Sequence, residues 1–170
     1  MLEIRRSLKS DLPALVQIFD EARGTIKALG IDQWQNGYPS MSVIENDIDL
    51  SQSFCVEKDG KIVATFALIY NGEPTYDKIY DGNWPTGDTD RYIAIHRVAI
   101  LVECRGMGIA AQIIKFAADQ AKEHGKASLR IDTHAGNVVM RKMLEKQKFS
   151  HCGSIYLTDG SHRVAYEYVI

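Results

Sequence analysis

The stretch from Ile95 to Ala121 constrains the fold more than any other part of this chain. Ile95-His96-Arg97-Val98-Ala99-Ile100 reads as a strand, Val102-Glu103-Cys104 as a tight turn, and Arg105-Gly106-Met107-Gly108-Ile109-Ala110 as the opening of a helix. Ile109, Ile113, Phe116, Ala117 and Ala121 then recur at helical spacing, and Gly125 suits the position just past the helix end. A strand that enters a helix through glycines lets the backbone turn sharply and come close to a ligand. The first free N–H groups of the helix, at its positive end, point at whatever sits there. A pyrophosphate fits such a place. The phosphate motif Gly-x4-Gly-Lys-Ser/Thr is absent, and the dinucleotide motif needs three glycines after an early strand, whereas here Gly106-x-Gly108 is followed by Ala110-Ala111. Taken alone, the glycine pair is equally consistent with a plain turn and cap.

The segments around this unit alternate in a way that sets the fold class. Leu2 and Ile4 predict a short first strand, and Ser10 or Asp11 a cap for a helix that tolerates Pro13 and carries Leu12, Leu15, Val16, Phe19, Ala22 and Ile26 on one face. Residues 30–42 break this pattern with Trp34, Tyr38 and Pro39, and a second short helix is expected over 43–50. Residues 53–57 and 61–70, joined at Asp59-Gly60, read as a β-hairpin. Residues 71–90 hold no long periodic element, which marks a functional or mobile loop. The strand over 91–101 is apolar on both faces and therefore central. Residues 129–133 form a further strand, 138–148 an amphipathic helix, and 152–157 with 164–169 a closing hairpin around Asp159-Gly160. The expectation is a single α/β domain over 1–170, with a mixed, mostly antiparallel sheet of six or seven strands flanked by helices.

Composition narrows the function classes. Lys and Arg number 20 and Asp and Glu 22, so the net charge is −2 and no global footprint for nucleic acid or an anionic membrane exists. The start lacks a secretory apolar run, and no segment approaches the roughly 18 apolar residues of a membrane span, so a cytoplasmic protein is expected. Cys55, Cys104 and Cys152, without a Cys-x-x-Cys pair, read as buried hydrophobes rather than a disulfide framework or a zinc site, and no metal site is expected.

Arg105 to Ala110 resembles the pyrophosphate loop of the GNAT superfamily of acyl-CoA-dependent N-acyltransferases, whose pattern Arg/Gln-x-x-Gly-x-Gly/Ala it matches at every defined place. The resemblance covers nearly the whole chain and is strongest over 92–156. It looks especially like a bacterial subgroup that shares Gln33-Trp34, Tyr38-Pro39, His96-Arg97-Val98-Ala99, Asp132-Thr133-His134, Asn137-x-x-Met140 and Cys152-Gly153. The resemblance implies a sheet whose central strands splay, acetyl-CoA as co-substrate, and transfer of its acetyl group to a primary amine of a small molecule or peptide by direct attack. It places the pantetheine arm against Val98, Ala99 and Ile100, as an added strand would lie. It places the diphosphate on the N–H groups of Arg105, Gly106, Met107, Gly108, Ile109 and Ala110, with Asn137 and Met140 as further cofactor contacts. Asn137 also reads as a helix N-cap.

Amine attack on a thioester needs a base, oxyanion donors and an acid for the leaving thiolate. His96 is the candidate base, since histidine as a residue type exchanges its proton near neutrality and the resemblance places this strand beside the thioester. The backbone N–H near Val98 is the implied oxyanion donor. Where relatives carry a Tyr acid this chain has Leu144, leaving Tyr156 or Cys152 as substitutes or water as the proton source for the thiolate; where they carry Gly before the terminal Phe it has Lys148. Trp34, Tyr38, Glu73 and His134 are candidate substrate contacts, with Tyr76, Tyr80 and Trp84 as further aromatic walls around a cationic amine. A catalytically idle acyl-CoA-binding module of the same fold is the alternative, motivated by Leu144. Whether protomers pair into a homodimer is open.

Overall fold

The structure, a computed structural model, describes residues 1–170. Seven strands hydrogen-bond into one sheet in the order β1-β2-β3-β4-β5-β7-β6. The chain packs as two compact units, residues 1–68 with 97–113 and residues 69–96 with 114–170. β4 (Tyr92–Ile100) contributes to both. No helix is long and apolar enough to cross a membrane.

In the first unit, β1 (Leu2–Arg6) pairs antiparallel with β2 (Ser53–Lys58), which pairs antiparallel with β3 (Lys61–Ile69). The predicted Asp59-Gly60 turn is present with both residues at positive φ, 52° and 80°, the geometry whose twist matches a two-residue hairpin. α1 (Leu12–Ala28) buries Leu15, Ile18, Phe19, Ala22 and Ile26, with Ile18 added to the expected stripe. Asp11 stands at the N-cap position of α1, but its side chain makes no capping bond there. Its carboxylate accepts from the Leu8 N–H and the Arg5 guanidinium, both at 2.7 Å, and closes a 3-10 turn over Lys9–Asp11 instead. α2 (Met41–Asp49) starts two residues before its expected place because Ser40 caps it, the hydroxyl accepting from the Val43 N–H.

In the second unit β4 runs parallel to β5 (Ser128–Thr133) for three residue pairs, Tyr92–Ala94 against Ser128–Arg130, and the ladder ends before His96. That short ladder is the expected splaying of the central strands. β5 continues antiparallel to β7 (His162–Val169), which pairs with β6 (Ser150–Tyr156) at the sheet edge. α3 (Ile109–Glu123) ends at Gly125, whose φ of 64° and flanking bonds, Gly125 N–H to Lys122 and Lys126 N–H to Ala121, form a Schellman cap. α4 (Val138–Lys146) ends in the same bond pattern, Lys148 N–H to Glu145 and Phe149 N–H to Leu144, but with Lys148 at φ 70° where glycine is favoured.

Residues 71–90 form only one 3-10 turn, Pro74–Tyr76, yet the segment is well packed. Tyr76 and Trp84 are buried against Tyr92, Ala94, Ile155 and Ala165. The Trp84 indole N–H donates to the Tyr76 carbonyl at 3.1 Å. Gly82 passes so close to β6 that a Cβ would collide with the Cys152 carbonyl oxygen. Beneath the segment lies a buried ion pair, Arg130 to Glu167 at 2.8 Å. The Arg130 guanidinium sits 4.2 Å from the ring centres of both Trp84 and Tyr92. Tyr76 and Trp84 thus complete one side of this core, while most of the segment's other residues stay exposed.

Candidate active site

The glycine-rich turn belongs to the first unit. At the end of β4 the Leu101 N–H donates to the Val63 carbonyl at 3.0 Å, and a 3-10 turn over Val102–Cys104 leads to Arg105. Gly106 and Gly108 take φ values of 77° and 79°, left-handed conformations that an L side chain adopts only with strain. This delays the helix: α3 begins at Ile109, four residues beyond Arg105, where the apolar spacing placed it. The Gly108 carbonyl accepts from the Gln112 N–H at 3.2 Å, which makes Gly108 the cap. The N–H groups of Ile109, Ala110 and Ala111 therefore have no partner within the helix. A Cβ on Gly106 or Gly108 would meet nothing within 4 Å, so the turn faces open space. Unpaired donors, a helix N-terminus and open space together suit a diphosphate. Lys58 supplies a cation that sequence spacing did not reveal, its ammonium 3.4 Å from the Met107 sulfur. Arg105 reaches back instead, its guanidinium donating to the Thr25 hydroxyl at 3.3 Å.

The second unit holds the titratable cluster. His96 Nε2 lies 2.9 Å from Glu73 Oε2, with both side chains about one-fifth exposed, 17% and 21%. Glu73 Oε1 accepts from the Thr75 N–H at 3.2 Å and the Thr75 hydroxyl at 2.9 Å, and its own N–H donates to the Tyr92 hydroxyl at 2.8 Å. Burial pushes the Glu73 carboxyl up, but the bond from His96, the positive charge that ring carries when protonated, and the Thr75 donors outweigh it and bring the pKa down to about 2. The Tyr76 ring packs against His96 with centroids 5.8 Å apart, and its hydroxyl donates to Asp132 Oδ2 at 2.6 Å. Burial, with Asp132 beside it, pushes that hydroxyl well above its usual pKa, so Tyr76 keeps its proton. Beside Glu73 opens a cavity of about 450 Å³ whose lining includes Tyr76, Tyr92 and the carboxylates of Asp77, Asp88 and Asp90.

A protein-family model for the GNAT acetyltransferases matches residues 14–149. The chain belongs to that family. An acetyltransferase of the GNAT family from Streptococcus agalactiae is 33% identical over 99% of this chain and 95% of its own, with a TM-score of 0.88. Two more distant structures share the fold. An N-acetyltransferase from Staphylococcus aureus is 23% identical with a TM-score of 0.68 over 99% of this chain and 98% of its own. A ribosomal-protein-alanine N-acetyltransferase from Brucella melitensis is 19% identical with a TM-score of 0.69 over 99% of each chain. No curated protein matches the sequence.

Within this GNAT fold the remaining expected residues fall in several places. Val98 and Ile100 are half-buried on β4 and Ala99 is buried. Asn137 caps α4, its side-chain oxygen accepting from the Met140 N–H at 3.2 Å. His134 Nδ1 accepts from the Gly136 N–H at 2.9 Å and so shapes the turn after β5. Trp34 packs on Phe19 and Tyr38 in the first unit, and the Tyr38 hydroxyl accepts from Arg97 at 2.9 Å. Arg97, at a positive φ of 54°, also grips Asp47 at 2.6 and 2.8 Å.

Two expectations are not brought together with His96. Tyr156 lies on β6, three strand spacings from β4 or about 14 Å across the sheet, and meets the Tyr80 ring edge-on and the His162 ring at a tilt. The Cys152 thiol is buried against β6 itself, and burial pushes its pKa up to about 11. Trp84 and Tyr76 are likewise committed to packing, Tyr80 is exposed beside Tyr156, and Leu144 is wholly buried. Glu73, expected as a substrate contact, directs one oxygen to His96 and the other to Thr75.

Proposed function

We propose that this GNAT chain is an acetyl-CoA-dependent N-acetyltransferase that acetylates a primary amine of a small molecule or peptide by direct attack. The observation that carries this reading is β4 itself, which bears His96 and then runs directly into the turn at Gly106 and Gly108. The N–H groups of Ile109, Ala110 and Ala111, with Lys58 nearby, bind the diphosphate of the acyl donor. Val98, Ala99 and Ile100 offer backbone groups to the pantetheine amides, as an added strand would meet them.

His96 removes a proton from the attacking amine as its nitrogen bonds to the acetyl carbon. The Val98 N–H meets the developing oxyanion, and cleavage of the carbon–sulfur bond expels the thiolate. Thiols titrate near pH 8.5, so the thiolate leaves without a dedicated acid, in keeping with Leu144 at the position where relatives carry Tyr. The acidic cavity beside Glu73 suits an acceptor that approaches as a cation.

The test is kinetic. His96→Ala is expected to lower kcat/KM by roughly 10²–10⁴ and to remove the acidic limb of its pH profile. Unchanged kinetics would take His96 out of the mechanism.

A further inference from the structure

Resting on the reading of His96 as the base, we propose that Glu73 is a positioning residue: it holds the Nε2 proton of His96 and so makes Nδ1 the nitrogen that accepts the proton of the substrate amine. A carboxylate can only accept hydrogen bonds, so the 2.9 Å contact requires the hydrogen to sit on Nε2. The neutral ring then presents a bare Nδ1 lone pair. The usual assumption about a strand histidine leaves either nitrogen available; this contact selects one.

The carboxylate is itself fixed. Oε1 is held by the N–H and hydroxyl of Thr75, Pro74 stiffens the turn between them, and the Glu73 N–H is tied to the Tyr92 hydroxyl. The ring is backed by Tyr76, which is pinned in turn by Asp132 and Trp84. The groups facing His96 are thus Glu73 and Tyr76 from the 69–91 segment, with Asp132 of β5 reached through the Tyr76 hydroxyl. Arg97, the next residue on β4, turns its charge to Asp47. When Nδ1 takes the amine proton, the imidazolium forms beside an anion already in place, which stabilises it without rearrangement.

The same geometry says what Glu73→Gln does. The Thr75 N–H can be met only by an acceptor, so the amide oxygen takes the Oε1 position and the NH₂ turns to His96. That donor forces Nε2 to accept and moves the ring proton to Nδ1, leaving no basic nitrogen toward the substrate.

The experiment is ¹⁵N NMR of the full-length chain labelled at histidine, read with steady-state kinetics. Wild type is expected to show Nε2–H, and Glu73→Gln to show Nδ1–H while remaining folded by circular dichroism, with some loss of melting temperature because the carboxylate's contacts stabilise the native state. The kcat of Glu73→Gln is expected to fall by roughly 10²–10⁴, to the level of His96→Ala, with the KM for acetyl-CoA unchanged. The double variant His96→Ala/Glu73→Gln is expected to be no slower than His96→Ala alone, because Glu73 acts only through the ring. An Nδ1–H ring in wild type, a Glu73→Gln variant with normal kcat, or fully additive losses would overturn the proposal. Normal kinetics in His96→Ala would instead bring down the base reading on which it rests, so the two failures are distinct.

Discussion

Replacing Glu167 by Gln removes one charge from the most deeply buried ion pair in the protein. Arg130 and Glu167 have side-chain exposures of 2% and 0%. Glu167 Oε1 accepts from Arg130 at 2.8 Å, from Ser128 at 2.6 Å and from Thr86 at 2.6 Å, while Oε2 accepts from the Thr86 N–H at 3.0 Å. The amide keeps the shape but leaves the Arg130 guanidinium without a counter-charge in the core, a change that costs about 3–5 kcal/mol. For a chain of this length each kcal/mol moves Tm by roughly 2–4 °C, so a fall of about 6–20 °C is expected in thermal denaturation at pH 7. Arg130→Met in the same background removes the orphaned charge, and a pair this close should recover about 1 kcal/mol or more.

The pH dependence has a defined sign. Burial raises the Glu167 carboxyl, but its bonds from Ser128, Thr86 and Arg130 outweigh that and leave it lowered. A depressed folded-state pKa gives stability that is present above the unfolded value of about 4.3 and is lost as pH falls through the folded value. The gap between wild type and Glu167→Gln should therefore close at acid pH. A loss below about 1 kcal/mol at pH 7, or a gap that widens on acidification, would refute the reasoning.

Two further outcomes follow from single residues. Lys148 holds a left-handed conformation at the end of α4, so Lys148→Gly relieves strain of about 1–2 kcal/mol, offset in part by glycine's freer unfolded chain; urea denaturation should show a net gain. Lys58→Gln removes the ammonium beside Met107 and should weaken acetyl-CoA binding and flatten its dependence on ionic strength, measured by calorimetry; an identical affinity and salt slope would mean that Lys58 does not meet the diphosphate.

What the sequence made legible is local. The Asp59-Gly60 hairpin, the glycines at 106, 108 and 125 and the α1 stripe are each dictated by a few neighbouring residues, and each is found where the spacing placed it. The helix opening expected at Arg105 falls instead at Ile109, because Ile109 and Ile113 fix a helical phase but not its first residue, which the left-handed glycines decide. Asp11 sits at the N-cap position of α1 as expected, but its carboxylate takes the nearest strong donors, and here those are Arg5 and Leu8 rather than the first N–H groups of the helix.

The side-chain pairs within each unit join distant residues. Glu73 meets His96 across 23 positions, Lys58 meets Met107 across 49 and Arg97 meets Asp47 across 50. No periodicity or turn signal encodes such a meeting; it is set by strand order and by the packing of residues 71–90. Glu73 was visible as a chemically capable residue, but its partner was not. The same holds for Tyr76 and Trp84, whose aromatic character fits a binding wall and a core equally well until Arg130 is seen beneath them.

Release of free CoA thiol from acetyl-CoA, followed across a panel of small-molecule and peptide amines with wild type and His96→Ala side by side, tests the central claim most directly. Amine-dependent thiol release by wild type, lowered by roughly 10²–10⁴ in His96→Ala, is the predicted result. Saturable stabilisation by acetyl-CoA, worth about 2.7 kcal/mol at a hundredfold excess over Kd, with no thiol release for any amine, would contradict it and mark the chain as an acyl-CoA-binding module that does not catalyse transfer.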